Sequence, residues 1–124
     1  GTTYPPTVLV DAPRDARVVG DEVFGPVLVV SPFDGVDAGF AAVNDSRFGL
    51  QAGVFTHDLQ VAFRAHRDLE VGGVVIGDGP TFRADPMPYG GVKWSGTGRE
   101  GIRFAIEEFS ERKLLVMNRG NHAR

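Results

Sequence analysis

The chain has 124 residues, 42% of them hydrophobic, with 13 Lys+Arg against 16 Asp+Glu and no cysteine. At roughly 100–200 residues per domain this is at most one domain, and the formal charge of -3 lacks the basic excess of a nucleic-acid binder. The missing cysteine excludes a disulfide framework, a thiolate-ligated zinc site and any thiol nucleophile from this chain, and no apolar run approaches the ~18 residues of a membrane span. With no basic and apolar leader at the start, the expectation is a cytoplasmic protein without membrane or nucleic-acid partners.

Strand and helix signals alternate along the chain. Thr7-Val-Leu-Val-Asp11 is a short β-branched run, and Val27-Leu-Val-Val30 is a continuous apolar stretch of the kind buried on both faces. Pro32, Asp34 and Gly35 mark a turn, after which Val36, Phe40 and Val43 recur at helical spacing until Asn44-Asp45-Ser46. Gly53-Val-Phe-Thr56 reads as a strand. Asp58 is placed to cap a helix with Leu59, Phe63, His66 and Leu69 on one face, and Gly72-Gly73 ends it. Val74-Val-Ile76 is a third apolar strand, again with the look of burial on both faces. The stretch from Gly77 to Gly98, with six glycines and three prolines, is irregular, and a loop of that length is functional or packed on something else. Arg99 opens a last helix with Ile102, Ala105, Ile106 and Phe109 on one face, and Leu114-Leu-Val-Met117 reads as a strand that pairs with a sheet edge, here or in another subunit. The alternation predicts an α/β architecture. Residues 119–124 read as a flexible tail.

Several motifs carry chemistry by spelling alone. Gly96-Thr-Gly-Arg-Glu-Gly101 matches G-x-G-x-x-G, but the acidic residue of a dinucleotide fold, due ~20 positions on, is replaced by a tail, so a tight turn feeding the last helix is preferred. Lys93 and Ser95 spell a Ser–Lys dyad, and Ser95 lacks the G-x-S-x-G elbow of a Ser–His–Asp enzyme. His57, His66 and His122 have no metal-ligand spacing. Glu22-Val-Phe-Gly-Pro-Val27 is more informative. A carboxylate can accept hydrogen bonds from two vicinal ribose hydroxyls while a nearby aromatic offers a stacking face. An edge-strand glutamate beside a core phenylalanine fits the same letters, and local physics leaves both readings open.

Taken in order, Pro6-Thr-Val-Leu9, Glu22-Val-Phe-Gly-Pro-Val27, Asn44-Asp-Ser-Arg-Phe-Gly-Leu50, Gly53-Val-Phe-Thr56 and Pro88-Tyr-Gly-Gly-Val-Lys-Trp-Ser-Gly-Thr-Gly-Arg-Glu-Gly101 resemble the C-terminal part of an NAD(P)-dependent aldehyde dehydrogenase. The likeness runs over roughly residues 5 to 118. It implies a partial catalytic domain of that fold at residues 1–112 and an oligomerisation strand at 113–118. It also implies that Glu22 binds the nicotinamide-ribose hydroxyls and that Phe24 contacts the nicotinamide side of NAD or NADP. In the family a cysteine thiolate attacks the aldehyde, hydride passes to the cofactor, and a glutamate-activated water releases the acid. The nucleophile, the general base and the Rossmann-type domain lie upstream of the matched segment, so this chain alone is expected to be inactive and to bind cofactor poorly. Its expected partners are the remainder of a dehydrogenase or another subunit, with self-association through uncovered apolar faces. The alternative is a free-standing binding or assembly module that has lost catalysis.

Two departures bear on the substrate. Gly77 stands where the family usually has an asparagine bracing the adjacent loop. Thr81-Phe-Arg-Ala-Asp-Pro-Met-Pro-Tyr89 resembles a subgroup acting on small polar aldehydes, in which a histidine often occupies the position of Pro86. Phe82 and Arg83 are the candidate substrate-loop residues, Arg83 as the partner of an anionic group.

Overall fold

Thr7–Val10 (β1) and Val27–Val30 (β2) pair in parallel, Val8 opposite Leu28 and Val10 opposite Val30, with the short helix Arg17–Gly20 (α1) between them. This is the structure of a computed structural model, which describes residues 1–118. Helix α2 (Gly35–Asn44) follows, then β3 (Phe48–Gly49), β4 (Gln51–Val54), α3 (Leu59–Asp68) and β5 (Gly73–Ile76). β4 and β5 form a second parallel pair, Ala52 opposite Val74, with α3 as its crossover. The long glycine-rich stretch contributes β6 (Val92–Lys93), antiparallel to β3, and the last helix is α4 (Ile102–Glu108). The architecture is α/β, built on three separate two-stranded sheets.

The covered interior is small. Among the described residues, Ala65 on α3 and Leu69 at its C-cap are the buried hydrophobic side chains. Helix α3 packs on β5 and α2 packs on α3, so the centre of the chain is the β4–α3–β5 unit. Asp58 caps α3 as expected, accepting from the Gln60 N–H at 2.7 Å.

Several expectations are corrected. β2 is not buried on both faces: Leu28 and Val30 are exposed, in register with exposed Val8 and Val10, so the β1–β2 ribbon has an open apolar face. β5 is half-covered along most of its length, with Ile76 exposed. Of the face expected on α3, Leu59, Phe63 and His66 are exposed, while Leu69, just past the helix end, is buried as expected, together with Ala65. The strand forecast at Gly53–Thr56 lies two residues earlier, where Gln51–Val54 finds a ladder with β5. Helix α4 starts at Ile102 rather than Arg99, because Glu100 is held in an antiparallel bridge to Tyr89. Ile102, Ile106 and Phe109, expected to be its packed face, are exposed. Within this chain Leu114–Met117 forms no ladder, and its four side chains are exposed. The expected tail at 119–124, with His122, lies outside the described residues.

Candidate functional site

Glu22 sits in the segment between α1 and β2 and lines an open cleft of about 620 Å³ together with Phe48, Gln51, Trp94 and Ser95. The neighbouring Asp21 explains how that segment is held. It accepts from Arg17 at 3.1 Å and also pairs with Arg47, which belongs to the Asn44–Leu50 motif. The Asp21 carboxyl lies below the usual aspartate value, first because Arg17 donates to it and then because Arg47 does, with loss of hydration opposing both. Arg47 in turn stacks over Trp94 at 5.0 Å and over Phe48 at 5.3 Å, while the two rings meet edge to face at 6.5 Å. A single guanidinium therefore ties the acidic segment to the aromatic wall of the cleft. Phe24 is on the same segment but outside the cleft lining, with 93% of its surface exposed.

Behind the lining residues Val71 and Ser95, the chain is held by a close backbone approach and by a lysine. Gly72 passes so close to Gly90 that a Cβ there would lie 1.7 Å from the Gly90 carbonyl oxygen. Lys93, held at φ 55°, directs its ammonium to the carbonyls of Asn44 and Ser46 at 2.8 and 3.0 Å and to the Glu70 carboxylate at 2.8 Å. A lysine has three N–H donors, and these three acceptors engage them all. Ser95 Oγ accepts from the Gly49 N–H at 3.0 Å. The Ser–Lys pair is thus a clasp between β3, β6 and the end of α3, not a nucleophile and its base. Asn44 completes the clasp, donating to the Asp68 carbonyl and accepting from the Glu70 N–H, both at 2.8 Å.

Phe82 and Arg83 occupy a second locality. The Phe82 carbonyl accepts from Gln51 Nε2 at 2.7 Å, which moors this loop to a residue of the cleft rim. The Arg83 guanidinium lies 5.3 Å from the centre of the Tyr89 ring and 2.7 Å from a Glu100 carboxylate oxygen. Neither Phe82 nor Arg83 is in the cleft lining, so the structure brings Glu22 to the cleft and leaves Phe24, Phe82 and Arg83 around it rather than in it. The glycine-rich Gly96–Gly101 segment is a turn into α4: Gly101 at φ 107° is its N-cap residue, and Arg99 donates through its N–H to Glu108 and through its guanidinium to the Gly91 and Gly98 carbonyls. Spacing alone missed Arg47, Tyr89 and Glu100, although all three lie inside the quoted motifs. Among the described residues no three His, Asp or Glu side chains converge on a metal-sized site, and no helix is long and apolar enough to cross a membrane.

The model of the aldehyde dehydrogenase family matches residues 1–115. The chain is 48% identical over 118 residues to a 3-sulfolactaldehyde dehydrogenase of Priestia aryabhattai, covering 95% of this chain and 25% of that protein. It is 43% identical over 115 residues to a lactaldehyde dehydrogenase of Methanococcus maripaludis, with 93% and 24% covered. In structure it resembles aldehyde dehydrogenase 21 of Physcomitrella patens, solved with the reaction product succinate, at a TM-score of 0.91 and 40% identity over 98% of this chain and 25% of the other. The chain thus spans about a quarter of the length of the curated relatives it matches.

Proposed function

The chain belongs to the aldehyde dehydrogenase family, and on that premise we propose that it is the C-terminal catalytic-domain segment of an NAD(P)+-dependent enzyme oxidising a short anionic aldehyde to its acid. The observation that carries the reading is the match of 98% of this chain to one quarter of a dehydrogenase at a TM-score of 0.91. The net reaction consumes aldehyde, water and NAD(P)+ and yields acid, NAD(P)H and a proton. A nicotinamide, when bound, supplies the hydride acceptor. The residues on this chain fit such a group: Glu22 lines a cleft large enough for a ribose, and its carboxylate has the acceptors for two vicinal hydroxyls. Phe24, beside it, has an uncovered ring face to offer. The attacking thiol must come from elsewhere, since this chain has no cysteine.

An anionic substrate is favoured because Arg83 presents a guanidinium in the loop moored to the cleft rim. Two of the relatives act on, or were solved with, molecules of that character, a sulfonated aldehyde and succinate. Leu114–Met117, exposed and unpaired, is proposed as the edge that joins a second subunit.

The purified chain given an aldehyde and NAD+ is expected to form no NADH, and sustained NADH formation would refute the claim that it is catalytically incomplete. In the intact dehydrogenase carrying this segment, Glu22→Gln is expected to raise KM for NAD(P)+ about tenfold, the equivalent of one charged hydrogen bond at ~1.5 kcal/mol. An unchanged cofactor KM would remove Glu22 from the cofactor site.

A further inference from the structure

The segment that carries Glu22 has no ladder of its own and is fixed near its ends. The Asp21 N–H donates to the Arg17 carbonyl at 2.8 Å, and the Pro26 carbonyl accepts from the Thr7 N–H at 2.9 Å. Among the described residues no salt bridge or side-chain hydrogen bond engages Glu22 itself, and the ion pair that reaches from this segment to the aromatic wall of the cleft is Asp21–Arg47. Arg47 belongs to that wall. Its carbonyl accepts from the Trp94 N–H at 3.1 Å, and its guanidinium lies 5.0 Å from the Trp94 ring centre and 5.3 Å from that of Phe48. Glu22, Phe48 and Trp94 all line the one cleft. A planar guanidinium can lie on an aromatic face and still offer its edge N–H groups to a carboxylate, so one side chain holds both sides.

Resting on the reading that Glu22 receives the nicotinamide-ribose hydroxyls, we propose that Arg47 is a positioning residue for cofactor binding, acting through Asp21 to hold the Glu22 segment in place against the Phe48–Trp94 wall. Two vicinal hydroxyls are met together only if the carboxylate stands at one place and one angle, because a hydrogen bond weakens steeply as it bends. A segment ordered beforehand gives up less freedom when the cofactor arrives. Asp21 and Arg47 carry opposite charges, so the pair contributes place rather than net field beside Glu22. Both side chains are partly in water, 39% and 42% exposed. An exposed ion pair contributes about fivefold at most, and an exposed guanidinium–ring contact a similar factor, so the bridge tunes cofactor affinity a few-fold and does not gate it.

The test uses the intact dehydrogenase carrying this segment, with KM for NAD(P)+ and KM for the aldehyde measured separately. Arg47→Met keeps an apolar stem against the rings and removes the ion pair. It is expected to raise the cofactor KM about two- to fivefold and to leave the aldehyde KM unchanged. Asp21→Ala breaks the same bridge from the other side and should raise the cofactor KM by a similar factor. The double variant should be no worse than the larger single one, since both remove one interaction. If the two single variants move the cofactor KM in opposite directions, the field of the charges acts on the cofactor and the positioning role is overturned. A clamp that serves only the fold would lower the thermal midpoint or kcat and leave both KM values still, which also overturns it. Glu22→Gln separates this outcome from failure of the underlying reading. If Glu22→Gln raises the cofactor KM and neither Arg47→Met nor Asp21→Ala does, Arg47 loses its role while Glu22 keeps its own. If Glu22→Gln leaves the cofactor KM unchanged, both ideas fall.

Discussion

At Gly72 a side chain is excluded by position rather than by backbone angle. A methyl group placed 1.7 Å from the Gly90 oxygen forces the Gly90-Gly91 backbone away from the start of β5, and rigid backbone cannot yield as a flexible side chain would. Gly72→Ala is expected to destabilise the chain by about 3 kcal/mol or more, at the upper end of overpacking costs, measured as a fall in the urea midpoint. Asp21 gives a second prediction at this scale. Its folded pKa is lowered, from the free value of 3.8, by hydrogen bonds from Arg17 and Arg47. A lowered carboxyl contributes stability that is fully present above the free value and is lost as pH falls through the folded one. Asp68, lowered chiefly by the hydrogen bond from Arg67, acts in the same sense. Asp21→Asn should therefore flatten the decline of the thermal midpoint between about pH 5 and pH 2 and leave its slope near neutrality unchanged. An unaltered acid slope would show that Arg17 and Arg47 do not hold this carboxylate in solution.

Among the elements, α3 shows how much a helical pattern can and cannot say. Its existence and its start were legible in Asp58, whose side chain accepts from the Gln60 N–H, but its end was not: the helix stops at Asp68, short of Gly72-Gly73, and Gly73 opens β5. Asp58→Ala is expected to cost about 1 kcal/mol, seen as a lower thermal midpoint and reduced far-ultraviolet helical signal. Which residues pack was only partly legible: of the expected face Leu69 is buried, but Leu59, Phe63 and His66 are exposed and Ala65 is buried in their place. The same holds for α4, with Ile102, Ile106 and Phe109 outward. The two-residue strands β3 and β6 escaped sequence reading for a different reason. Their pairing joins Phe48 to Lys93 across a long separation, and a residue at φ 55° inside a strand pair leaves no periodic trace.

The whole molecule is short of cover. Parallel sheets are stable when layers pack on both faces, yet two separate parallel pairs here each have only two strands. Val8, Val10, Leu28 and Val30 form one open apolar face, the outer side of α4 a second, and Leu114–Met117 a third. Surfaces of this kind mark sites that another protein surface covers. The chain in isolation is expected to self-associate, with the apparent mass in light scattering rising with concentration; a monodisperse monomer at high concentration would contradict this.

The sequence by itself determined the α/β order, the positions of β1, β2, α2 and α3 to within a residue or two, and the family, because these rest on local signals: capping residues, apolar runs, and motifs in a fixed order. It also placed Glu22, Phe24, Phe82 and Arg83 as candidates by resemblance. Only the tertiary structure decided that Arg47 joins the Glu22 segment to Trp94, that Lys93 and Ser95 are a clasp, and that Glu100 faces Arg83. Each of these relations links residues through space across turns, and a contact between side chains far apart in the chain depends on how the backbone between them folds, which no local pattern of residues encodes.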